Sequence, residues 1–102
     1  MNYLVTVSFD FPDVSASDRA AIYRDVYAAL ATIGFLRTSQ ARDGTVITLP
    51  ESTAMGQFTG SAAGNLVDQV GKLVLKAFKS MNLKSTVLIT AGQHWAWGAR
   101  AA

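Results

Sequence analysis

The chain has no cysteine, a single histidine and few charges, only 16% of its 102 residues. The missing thiols exclude disulfides, thiolate metal sites and cysteine nucleophiles, and suit a reducing compartment. One histidine, His94, excludes paired imidazole ligands and leaves one side chain that titrates near neutral pH. No apolar run reaches eighteen residues, so no spanning helix and no membrane insertion are expected. The first residues enter a strand directly, without the basic segment and cleavage site of a signal peptide, and the expected location is cytoplasmic. Neither a glycine-rich phosphate loop after a strand nor a Ser-His-Asp set is present. What the chain does have is apolar bulk, half of its residues, with a net charge of +2. That places it far from disordered compositions and gives only a slight lean toward phosphate-bearing partners.

The length suits one domain, read as residues 1–98, with 99–102 as a frayed tail. Residues 3–9, rich in Tyr, Val, Thr and Phe, read as a central strand. A capping box at Ser15-x-x-Asp18 opens a helix whose stripe is Ile22, Val26, Ala29, Leu30 and Ile33, and Gly34 ends it. Residues 35–40 and 45–49 are strand-like, with Asp43-Gly44 between them. Either they form a separate hairpin or one long edge strand bends there and pairs with a strand over 54–59. The bent strand is the preferred reading, because it leaves residues 54–58 to feed the next helix. Ser61 is the expected cap of a second helix with the arc Leu66, Val70, Leu73, Val74, Ala77 and Phe78, closed by Asn82, and residues 86–90 make the last clear strand. Residues 92–98 are a candidate short extra strand. The order strand, helix, strand, strand, helix, strand implies an α+β, ferredoxin-like βαββαβ fold: a four-stranded antiparallel sheet with both helices on one face.

Asp10 is the position of most interest, a carboxylate at the mouth of an apolar strand, where it must be solvated, paired, metal-bound or used in chemistry. The simplest structural role is to accept backbone amides from residues 12–15. Among the arginines, Arg37 and Arg42 flank the bent strand and, with Arg24 off the apolar stripe, are the candidate nucleic-acid contacts. Lys72, Lys76 and Lys79 fit either a phosphate track or, more simply, the solvated side of the second helix. Arg19 lies near the first helix's apolar stripe, where it can pair with a neighbour, while Tyr23, Tyr27 and Met55 read as packing. Trp95 and Trp97 are candidate dimer anchors, since tryptophan is enriched at interface hot spots.

The opening Tyr3-Leu4-Val5-Thr6-Val7-Ser8-Phe9-Asp10-Phe11-Pro12, the helix end Ile33-Gly34-Phe35 and the element order resemble the GhoS-type endoribonuclease antitoxins. More distantly they are similar to the small CRISPR adaptation nucleases and VapD ribonucleases, which carry an Asp at the end of the first strand. The resemblance implies a homodimer that binds RNA as an endoribonuclease, with two Asp10 carboxylates flanking a twofold cleft where, as in the CRISPR relatives, they would hold a divalent ion such as magnesium. The competing expectation is a non-catalytic protein-interaction module, in which the tryptophans and the sheet face do the binding.

Overall fold

In the computed structural model, which describes residues 2–40 and 44–93, the elements follow in order β1 (Asn2–Asp10), α1 (Arg19–Ile33), β2 (Thr38–Gln40), β3 (Val46–Thr48), β4 (Thr53–Thr59), α2 (Ala63–Ser80) and β5 (Thr86–Gly92). β1 is central, antiparallel to β4 on one side and β5 on the other, with Thr6 opposite both Met55 and Thr90. Its odd positions, Tyr3, Val5, Val7 and Phe9, are buried, whereas Leu4, Thr6 and Ser8 are only half-buried. The period-2 pleat thus gives the sheet a dry face and an open face. Val26 and Leu30 of α1 and Leu66, Val70, Val74 and Phe78 of α2 join the odd residues of β1 in one core, so both helices cover the same face.

Both helices close with the same Schellman hydrogen-bond pattern. At α1, Phe35 N–H bonds to Leu30 O and Gly34 N–H to Ala31 O, with Gly34 at φ 125°. At α2, Leu83 N–H bonds to Phe78 O and Asn82 N–H to Lys79 O, with Asn82 at φ 57°. The starts differ from expectation. The Ser15 hydroxyl donates to the Asp18 carboxylate at 2.9 Å instead of accepting from a free amide. Helix α2 begins after Ala62, not Ser61, and neither helix has a side-chain cap.

Residues 36–49 also differ. β2 and β3 pair with each other, Ser39 opposite Ile47, and so form the hairpin in place of one bent strand. Thr, Val and Ile fit either partner, and a strand five residues away along the chain satisfies the backbone groups with the shorter closure. The main sheet accordingly has three strands. The hairpin leans on its β4 edge through a single bridge, Leu36 to Met55, with paired backbone bonds of 2.8 and 3.0 Å.

Gly56 shows why β4 can lie so close to the end of α1. A Cβ there would sit 2.4 Å from the Gly34 carbonyl oxygen, which is backbone and cannot swing aside. Gly56→Ala is expected to lower stability by about 1–3 kcal/mol, read from the urea midpoint. Gly64→Ala, facing open space in the first turn of α2, should not destabilise; equal midpoints for the two variants would show that the close approach is unimportant.

Candidate arginine and tyrosine cleft

Two surfaces carry the residues singled out from the sequence, and the sheet separates them. Asp10 shares its face with Leu4, Thr6 and Ser8, opposite Thr86 of β5, and is exposed. Its carboxylate makes no hydrogen bond or ion pair among the described residues. The turn it precedes is closed by the backbone instead, Val14 N–H to Phe11 O at 3.2 Å. The expected cap for Asp10 is therefore replaced by a solvated carboxylate. Around it the open face is aliphatic and hydroxylic: Leu4, Thr6 and Ser8 of β1, Thr53 of β4, Leu88 and Thr90 of β5, with Leu36 beside Met55. Among the described residues this three-stranded face carries no cation and no aromatic ring. No group of three or more His, Cys, Asp or Glu gathers among the described residues. One carboxylate per chain falls short of a complete magnesium site.

The second surface lies on the helix side. Arg19, Ala20, Tyr23, Arg24 and Tyr27 of α1, Ala16 of the segment before it, Arg37 and Glu51 line an open cleft. Residues 20, 23, 24 and 27 recur at three and four, so one stripe of α1 forms the wall, with Ala20 leaving room between the longer side chains. The Arg19 guanidinium lies 4.4 Å from the centre of the Tyr23 ring, and that of Arg37 lies 4.4 Å from Tyr27. Arg19 Nε also donates to Glu51 at 2.6 Å, and this hydrogen bond holds Arg19 above its ordinary pKa. Arg37 donates to three backbone carbonyls, Pro50 at 2.9 Å, Leu49 at 3.0 Å and Thr53. Carbonyl oxygens fix a guanidinium without cancelling its charge. Arg24 is largely exposed, with only a loose 3.6 Å pair to Asp25, which contributes little in solvent.

The turn clamped by Arg37 carries the one strained residue beside the cleft. Ser52 has φ 66°, a conformation rare for a residue with a Cβ. Its hydroxyl meets the Tyr23 hydroxyl at 2.7 Å, its N–H donates to the Tyr27 hydroxyl at 3.3 Å, and its carbonyl accepts from Phe9 N–H at 3.1 Å. Three tertiary bonds thus over-determine the strained backbone.

Of the residues expected to act, Arg24 and Arg37 come together in this cleft, while Asp10 belongs to the opposite face of the sheet. Arg42, Trp95 and Trp97 lie outside the described residues, as do His94 and the 99–102 tail. Tyr23, Tyr27, Glu51 and Ser52 were not read as site residues. The i, i+4 spacing of Arg19, Tyr23 and Tyr27 was the available signal, but the partners from residues 37–52 meet it only through the fold. No family model matches this chain, and no curated protein matches it. No helix among the described residues is long and apolar enough to cross a membrane.

Proposed function

We propose that this chain is a small RNA-binding protein that takes the backbone of a single strand in the cleft between α1 and the turn at residues 49–53. The observation that carries this reading is the convergence of three guanidiniums against one carboxylate on the cleft wall, two of them lying 4.4 Å from the centres of tyrosine rings. A guanidinium fixed this way offers its outer face to a base and its charge to a phosphate, both general features of single-strand RNA recognition. In this reading the fold is ferredoxin-like, the stretch through Leu36 acting as the fourth strand beside β4, and the working unit is a homodimer with Trp95 and Trp97 as anchors.

Endoribonuclease activity of the toxin-antitoxin kind would rest on Asp10, which is exposed and has no partner among the described residues. Because Asp10 and the cleft occupy opposite faces, binding and cleavage are separable. Fluorescence anisotropy with a labelled single-stranded RNA over a salt series tests binding. Arg24→Gln, which alters an exposed side chain, is expected to weaken affinity and to lower the slope of log K against log salt by about 0.7. Asp10→Asn is expected to bind as well as the wild type and to lose any cleavage; undiminished cleavage would remove Asp10 as the catalyst. Absence of RNA binding by the wild-type chain would overturn the reading in favour of a non-catalytic interaction module, which the cation-free sheet face supports.

A further inference from the structure

The edge of β5 away from β1 faces no other strand among the described residues. Free edges are normally blunted by lysine, proline, a bulge or short length. Thr86-Val87-Leu88-Ile89-Thr90-Ala91-Gly92 has none of these: seven residues without charge or proline, paired to β1 in unbroken register. Leu88 is 64% exposed on the open face, and Leu75 of α2 is 41% exposed. Leu75 shares a groove with Leu83, Lys84 and Ser85, the residues leading into β5. The edge is therefore flanked by an exposed leucine on each layer.

We propose that this edge pairs with the same edge of a second copy, antiparallel about a twofold axis at Ile89. Thr86 then faces Gly92 of the copy, Val87 faces Ala91 and Leu88 faces Thr90, so every pair is uncharged and compact. The helix layer fits the same axis. Gly71 lies over Ile89, its absent side chain leaving only that residue's Cδ1 at 3.5 Å, and α2 runs antiparallel to β5 after the short connection at residues 81–85. Two copies of α2 thus meet near Gly71, whose lack of a side chain favours the 8–10 Å approach of packed helices. Charge is complementary there as well: Asp68, the one acid of α2, lies one turn before Lys72, and antiparallel packing sets Asp68 of each copy beside Lys72 of the other. The product is a continuous six-stranded sheet with four helices on one side. This surface is at the β5 edge, whereas the arginine cleft adjoins β4, so the inference does not depend on RNA binding.

Charge introduced at exposed positions tests it in the full chain. Leu88 and Thr90 face each other across the proposed axis, so Leu88→Lys/Thr90→Lys places like charges in direct opposition, as does Leu88→Glu/Thr90→Glu. By analytical ultracentrifugation the wild type is expected to sediment as a dimer and each double variant at half that mass. An equimolar mixture of the two variants is expected to recover the dimer mass. Leu75→Glu, on the other layer, is expected to weaken the dimer as well and serves if a strand variant fails to fold. A monomeric wild type, charge variants that remain dimeric, or a mixture that stays monomeric would each overturn the proposed pairing.

Discussion

Phe78→Ala is expected to cost about 4 kcal/mol, a large share of the roughly 5–15 kcal/mol that holds a domain of this kind together. Phe78 is fully buried at the C-terminal end of α2, with ring centres 5.6 Å from Phe9 and 5.0 Å from Phe11, both edge-on. Truncation removes the transfer energy of the ring and leaves a cavity that two aromatic neighbours cannot collapse into. Phe9 and Phe11 flank Asp10, so the same change loosens the segment that presents the carboxylate. Urea denaturation measures the loss. A fall below about 1 kcal/mol would mean that the site repacks freely, and Phe78→Leu, retaining most of the volume, should lose less than half as much.

The second large effect is expected at Arg37. Arg37→Met keeps the stem over Tyr27 but abandons the carbonyls of Leu49, Pro50 and Thr53, for an expected loss of about 3 kcal/mol. For a chain of this length that is a fall in Tm of roughly 15 °C. The clamp also holds Ser52 in its strained conformation, so amide exchange at Phe9, bonded to the Ser52 carbonyl, should accelerate along with the loss. Arg37→Lys should rescue little, because one ammonium cannot reproduce a planar fork spanning three acceptors. If Arg37→Met melts with the wild type while RNA affinity falls, Arg37 is a ligand contact and not a clamp.

These two residues show what could and could not be read along the chain. Phe78 belongs to the Leu66, Val70, Val74 stripe, whose spacing of four is a local property of a helix, and the paired faces of β1 follow likewise from alternation. Gly34 and Asn82 were legible as helix ends because a left-handed residue there has few alternatives. The role of Arg37 was not legible, since its three acceptors lie twelve to sixteen residues away and converge only once β4 pairs with β1. The hairpin at residues 38–48 was open for a related reason: alternation specifies which face a side chain takes but not which strand lies beside it. Asp10 was found as a conspicuous carboxylate, but its separation from the arginines depends on strand parity together with the side on which the helices pack.

The division of β1 into two independent sets of positions has a further consequence. The odd residues are committed to the helices, but Leu4, Thr6 and Ser8 are half-buried and Asp10 is exposed, and Thr86, Leu88 and Thr90 extend the same open face across β5. Substitutions at its exposed positions, Asp10, Thr86, Leu88 and Thr90, change what the molecule meets more than they change its core. A lineage could exchange one partner for another there by single steps, each tested for recognition alone, while the core stays silent to the choice.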